Sequence, residues 1–429
     1  MASSRSSMPA SSAPVNPSFA PNTQTEPPRR LSEDSPSDAP WDYHGSASQD
    51  IMIMMSEGDD WQLKKSESME WCGRYLTFAL TGDSMKLRKA RFCRVRLCPR
   101  CQWRKSLAWK ARWYKAWPEI QKIAPKARYF HLVLTVPNVP VEELRTTILK
   151  MSKAWKKMVD RKTWPAIGFV RATEVTIEEK RKSYVHPHFH VLMMVTPSYF
   201  KGDNYMSAES WRDYWAKALG MNAAELTKPY IRSIDPKHGL EGTAHAVKEV
   251  FKYAVKFETK KEKRVDGFWR ETFLEMDRQL KGTQATSLGG ILREVFRGED
   301  EVTEEEMLGA EESAEEAEEY RQYIYRFDLR FYAFHKKLDA SDVERIKKED
   351  GIREEKVKAR SGPLPEPLQP SDAERLDWSL NRVCLQSMKQ DALQQETKRA
   401  GRKRAARRKD AGSDGGPELK LERRLDGDP

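Results

Sequence analysis

The chain has 429 residues, and its 76 lysines and arginines against 65 aspartates and glutamates leave a net charge of +11. Hydrophobic residues make up 38% and charged residues 33%, against about 45–50% (a tally that counts glycine) and about 25% in an average globular chain, so one core running the whole length is excluded. The longest apolar runs, such as residues 191–195, fall far short of the ~18–20 residues of a membrane span, and no charged-then-apolar signal opens the chain. A cytoplasmic protein with no membrane partner is therefore expected, and the basic excess points to a polyanion.

Residues 1–58 are rich in Ser, Pro and Ala, with little apolar periodicity outside 51–55, and read as disordered. A basic module follows over 59–120, with a strand at 75–80. Residues 129–136 are β-branched and aromatic and stop at Pro137-Asn138, the pattern of a strand entering a turn. Leu144, Ile148, Met151, Trp155 and Met158 then recur at helical spacing. Strands are predicted at 169–177 and, after the His186-Pro187 turn signal, at about 188–195. Ser207 is a predicted N-cap for a helix carrying Trp211, Tyr214, Trp215 and Leu219 that closes at Gly220. Strand, helix, strand, strand, helix implies an α+β layer, not an alternating parallel sheet. This domain is expected to span 121–340, with the glutamate-rich stretch 299–319 as a solvated helix or loop inserted near its end. From 341 to 429 come a Pro-rich linker, a short helix near 376–393 and a basic tail around Arg402 to Lys409 that adds sequence-independent affinity for a polyanion.

Four of the five cysteines cluster as C-x20-C-x4-C-x2-C: Cys72, Cys93, Cys98 and Cys101. Without a secretion signal this favours metal over disulfides, and four thiolates suit a structural Zn²⁺; unliganded reduced thiols are the competing account. Cys384 is an ordinary thiol. Around the cluster stand Arg94, Arg96, Arg100, Arg104 and Lys105, interleaved with Trp103, Trp109, Trp113 and Trp117. Cations that neutralise phosphates, with aromatics that stack on unpaired bases, suit DNA or RNA. Helical spacing offers a rival account for the tryptophans, a buried stripe.

His186-Pro187-His188-Phe189-His190 is the most informative stretch. Residues two apart on a strand share a face, so His188 and His190 present two imidazoles to one cation while Phe189 points to the core. Two histidines and a carboxylate leave coordination positions open for a phosphate oxygen. Glu174, on the preceding strand, is the expected carboxylate, with His186 the other residue in reach. Downstream, residues 248–256 look helical, which brings Glu249 and Lys256 or Lys252 within a turn of Tyr253. A tyrosine of pKa about 10 is a poor nucleophile unless an ammonium and a metal assist it.

In order, Cys93-x4-Cys98-Pro99-x-Cys101, Phe130 to Asn138, His186 to Leu192 and Glu249-x3-Tyr253-x2-Lys256 resemble the plasmid rolling-circle replication initiators of the His-hydrophobic-His (HUH) endonuclease superfamily, in its large zinc-containing family. The resemblance covers roughly residues 72–290. It implies a five-stranded antiparallel sheet with flanking helices, the His188 strand at its centre and the tyrosine helix across it, preceded by a small zinc-ribbon-like module. It implies Mg²⁺ or Mn²⁺ on His188 and His190, attack by Tyr253 on a single-stranded origin hairpin, a 5′-phosphotyrosine and a 3′-hydroxyl primer. Glu249 matches the glutamate that activates water for terminating cleavage, Lys256 is expected to join the catalytic set by neutralising charge at the phosphate, and Lys252 is expected at the DNA. No Walker-type phosphate loop is present, so a host helicase and a single-strand-binding protein are expected partners. The alternatives are a transposase or relaxase of the same superfamily and a non-catalytic zinc-ribbon DNA-binding protein.

Overall fold

A computed structural model describes residues 28–348 apart from 83, 179, 182, 202–203, 253–266, 299–300, 310–316, 318 and 347. The chain opens with Leu31–Asp34 (α1), Pro40–Ser56 (α2) and Asp60–Glu70 (α3). The expectation of disorder through residue 58 is corrected here. In α2, Trp41, His44, Ser48, Ile51 and Met55 recur every three or four residues, and all are buried. That stripe is diluted in composition by Ser, Gly and Asp, and it becomes a core face only because distant elements cover it. Gly45 lies where α2 approaches the small sheet: a Cβ there would meet the Tyr325 ring at 2.6 Å. Residues 1–27 lie outside the described part.

Tyr75–Thr81 (β1) and Ser84–Ala90 (β2) form a hairpin, and Pro99–Ile123 (α4) follows, with Pro99 in its first turn. Then come Arg128–Thr135 (β3), Val139–Pro140 (β4), Leu144–Val159 (α5), Ala166–Ile177 (β5), Tyr184–Val195 (β6), Ala208–Leu219 (α6) and Tyr230–Ser233 (β7). Gly239–Phe251 (α7), Gly267–Leu280 (α8), Thr286–Gly290 (β8), Ile291–Val295 (α9), Glu304–Leu308 (α10), Glu319–Arg326 (β9) and Phe331–Lys337 (β10) complete the described chain. The fold is α+β, as expected.

The larger sheet has the order β7-β3-β6-β5-β8, with β4 paired to β6, and every pairing is antiparallel. The histidine strand β6 is therefore central. Its alternation is the expected one: Phe189 and Val191 are fully buried between partly exposed His188 and His190. On the Phe189 face, Phe130, Met193, Trp155, Trp211 and Trp215 form one core under α5 and α6. On the histidine face, Val170, Ala172, Leu192 and Met194 pack in a core with Ala244, Val247 and Val250 of α7 and with Trp109 and Trp113 of α4.

A second, four-stranded antiparallel sheet has the order β10-β9-β1-β2. It joins the hairpin near residue 80 to strands more than two hundred residues later, and α2 packs Trp41 against its Tyr332. The helix α4 touches both sheets' cores. Its tryptophans decide between the two readings in favour of packing: Trp103, Trp109 and Trp113 are buried, Trp109 stacks on Phe251 at 4.3 Å and Trp113 Nε1 donates to Thr243 Oγ1 at 2.9 Å. The glutamate-rich stretch is only partly solvated. Met307 and Leu308 are buried, and Glu306 pairs with Arg112 (Nη2 to Oε2 2.7 Å); residues 310–316 lie outside the described part.

Candidate metal centres and active site

Cys72 follows α3, Cys93 stands in the loop after β2, and Cys98 and Cys101 open α4. Their sulfurs lie 3.7 Å (72 to 98), 3.5 Å (72 to 101) and 3.6 Å (93 to 101) apart, and all four fall within 4.8 Å. A disulfide needs about 2.05 Å, whereas a tetrahedron with ~2.3 Å zinc–sulfur bonds has edges of about 3.8 Å. The donor set thus fits a four-thiolate zinc site. Burial opposes ionisation of Cys98, yet hydrogen bonds from Cys101 and Cys72 outweigh it and hold its thiol well below the usual range.

The surroundings of this cluster come from residues that sequence reading assigned elsewhere. Ser48 Oγ lies 3.7 Å from Cys98 Sγ and accepts from the Arg100 amide at 3.1 Å. Arg100, expected at the DNA, is 2% exposed and lies over the Tyr325 ring at 4.4 Å. That expectation is corrected, since a phosphate cannot reach it; its cation lies instead beside Tyr332 and the sulfurs of Cys72 and Cys98. Arg96 is likewise turned inward, donating to the Leu280 and Thr283 carbonyls at 2.8 and 3.0 Å where α8 ends. Arg104 donates to the Met307 carbonyl. Arg94, Lys105 and Lys252 stay partly exposed, with Lys252 Nζ 3.3 Å from Glu249.

The second cluster is built by strand register. Glu174 on β5 is the direct partner of His188 on β6, and Ala172 of His190, so all three functional side chains share one face. Their ligand atoms lie within 4.8 Å. His188 Nε2 is 3.1 Å from Glu174 Oε2, and His190 Nε2 contacts the same oxygen. Burial works against the Glu174 charge, but His188 and His190 outweigh it and pull the carboxyl far below its usual range. The His188 Nδ1–H donates to the His186 carbonyl at 3.2 Å, which turns Nε2 toward the Glu174 carboxylate. Two imidazole nitrogens and a carboxylate oxygen converging on one point form a donor set that fits a divalent cation. His186, its ring 5.3 Å from that of His188, bonds Thr135 Oγ1 and is not among the three converging ligands. Between the two residues in reach, the register therefore favours Glu174.

Sequence reading left His131 without a role. Its Nε2 lies 3.4 Å from His190 Nδ1, and the two rings stack at 5.4 Å. Burial, then the His190 charge, pushes its pKa down to about 4. A neutral His131 can hold His190 with Nε2 toward Glu174. The signal was present as a histidine two positions before Val133, in a strand paired to β6, but pairing cannot be read from a single strand.

The helix α7 crosses this face and ends at Phe251, held by Trp109. Glu249 sits in its last turn, partly exposed, and its charge is felt at His131. Tyr253 and Lys256 lie outside the described residues.

The family model of a replication protein matches residues 84–334. The chain belongs to that family. Among similar curated proteins, each called protein rep, that of Streptococcus pneumoniae is 39% identical over 196 residues, 44% of this chain and 59% of the relative. That of Lactiplantibacillus plantarum is 30% identical over 273 residues, 58% of this chain and 84% of the relative. One from Staphylococcus aureus is 34% identical over 178 residues, 40% and 76% of the two chains. No solved structure matches. The resemblance to plasmid rolling-circle initiators thus stands at the level of the family. In this replication protein the matched segment holds both strands of the Glu174 cluster and three of the four thiols. Cys72, His44 and Ser48 precede it. No helix among the described residues is long and apolar enough to cross a membrane.

Proposed function

We propose that this replication initiator is a metal-dependent, site-specific single-stranded DNA endonuclease and ligase that nicks a plasmid double-strand origin through Tyr253. The observation that carries the reading is the Glu174–His188–His190 cluster on the central strands, under the helix that leads to the tyrosine. These three side chains would hold Mg²⁺ or Mn²⁺, whose chemistry is polarisation of the scissile phosphate. The Tyr253 oxygen attacks phosphorus, the bond to the 3′ oxygen breaks, and that oxygen takes up a proton to become the primer hydroxyl. Lys256 neutralises developing charge at the phosphate. Glu249, one turn before Tyr253, serves a later cleavage by accepting a proton from water. Because the phosphotyrosine conserves the bond energy, rejoining needs no nucleotide.

The four cysteines hold a structural zinc in this reading, and Arg94, Lys105 and Lys252 are the remaining expected phosphate contacts. The protein acts in the cytoplasm with origin DNA, a host helicase and a single-strand-binding protein. Replication is favoured over transposition or conjugative transfer by the family match over residues 84–334. Incubation with Mn²⁺ and labelled origin hairpins should yield a protein–DNA adduct on a denaturing gel that disappears with Tyr253→Phe or EDTA. An adduct that survives Tyr253→Phe would remove the tyrosine from the reading, and tight binding without any adduct would favour a DNA-binding module.

A further inference from the structure

At the free edge of the larger sheet, beside β7, lies a cavity of about 420 Å³ lined by aromatic rings. Its floor is Phe130 and Tyr199, stacked at 5.2 Å and both buried. The Tyr199 hydroxyl accepts from Trp211 Nε1 at 3.0 Å and donates to the Met206 carbonyl at 3.4 Å, so this ring is fixed. Phe200 forms a wall, and Tyr205 and Tyr230 stand at the mouth, each more than half exposed. Folding alone does not account for two tyrosines left open to water beside a rigid aromatic floor.

The register sets the cavity's Phe130, Ile231 and Ser233 on the Phe189 face and Tyr230 on the histidine face, so the β7 edge joins the cavity to the histidine cluster. Tyr230 pairs with Val133, Val133 with His190, and His190 with Ala172, so Tyr230 and His190 stand in one row across the sheet. Two strand spacings, about 10 Å, separate them. Arg232 pairs with His131 in the next row of the same face and is exposed. Arg128 lies over Phe200 at 5.1 Å, and exposed Lys201 and Lys228 flank the mouth, Lys228 paired with Glu209. Cations along a path from the cluster to an aromatic cavity match a charged backbone carrying flat apolar groups.

We propose that this cavity takes an unpaired nucleobase of the bound strand, one that leaves the histidine face over Tyr230 and turns in between Tyr230 and Tyr205. This rests on the proposed nicking function and adds to it a second contact point that sets how the strand lies relative to the scissile phosphate. The chemistry is stacking, so the cavity accepts a base by its π-face and the arginines and lysines hold the backbone on either side.

The test compares the full-length protein's affinity, with no Mg²⁺ or Mn²⁺ added, for a labelled oligothymidylate and for an abasic strand of equal length. Stacking is worth about 1–3 kcal/mol per base, roughly 5- to 150-fold in affinity. Wild type should prefer the oligothymidylate by at least about tenfold. Tyr205→Ala should cut that preference severalfold without changing affinity for the abasic strand, and Tyr205→Phe should restore it. A preference untouched by both Tyr205→Ala and Tyr230→Ala, in protein whose wild type still forms the Mn²⁺-dependent adduct, overturns the cavity proposal and leaves the nicking function standing. Binding of neither strand, together with no adduct on any hairpin, removes both.

Discussion

Cys72, Cys98 and Cys101 have no exposed surface and, with Cys93, present four thiols to one point, whereas Glu174, His188 and His190 present three ligands on a partly open sheet face. A closed set of four can only hold an ion; a set of three with an open side can also admit a substrate oxygen. The two clusters differ as well in what they join. The thiols tie α3, the loop after β2 and the start of α4, so their loss frees the entry to the longest helix. The other three sit on adjacent strands already paired along their length, and the sheet does not need them.

The sharpest break in this comparison is Cys98→Ser. Structural zinc contributes on the order of 10 kcal/mol of folding free energy in small zinc domains, so the variant should lose bound zinc and the cooperative melting of wild type, read by metal analysis and calorimetry. A folded, reduced wild type without zinc would end the structural assignment. His190→Ala should do the reverse: the adduct is lost, while the melting temperature stays within a few degrees, because the side chain is on an open face and its removal leaves β6 paired. A large fall in melting temperature would show that the cluster also supports the fold.

A smaller effect separates the clusters by pH. His44, near Cys98, stacks on Trp103 at 4.7 Å, and burial, followed by the charges of Lys252 and Lys248, pushes its pKa from 6.5 to about 3. The unfolded chain therefore binds a proton that the folded chain refuses between pH 6.5 and about 3. Stability from this group is complete above pH 6.5 and falls as pH drops through that window, by about 1.4 kcal/mol per unit for one proton. His44→Phe keeps the stacking and should flatten that part of the pH–stability curve; an unchanged slope would mean that His44 is already charged. The smallest effect is expected for Lys105→Ala, a few-fold loss of DNA affinity with the salt slope reduced by about one. Arg100→Ala, only a few residues away, should instead lower stability by a few kcal/mol, because it removes a buried cation from beside thiolates.

The contrast between Lys105 and Arg100 shows what a sequence conceals. Both lie in one basic stretch, and charge alone assigns both to a phosphate backbone. Which side of α4 is wet depends on a sheet formed by β9 and β10, two hundred residues away, and on α2, whose stripe is hidden among serines. The tryptophans of α4 were open to two readings for the same reason, and the Phe251 and Trp41 surfaces decide in favour of burial. The glutamates near 304–306 had a plain solvated reading that Arg112 partly overturns.

Other features were legible because their cause is local. Alternation along a strand has a period of two wherever the strand sits, so His188 and His190 had to share a face once β6 formed, with Phe189 opposite. The turn at Cys98 to Cys101 brings two sulfurs together within three residues, and the order of motifs carried the family. Completing each cluster required pairing between separated segments. Glu174 was preferred to His186 only by the register of β5 on β6; His131 was joined to His190 by β3; and Cys98 met Ser48 through the docking of α2. Spacing acts through bonds between neighbours and is written in residue order. Register and burial are set by whichever distant surface removes the water, and that choice belongs to the folded chain.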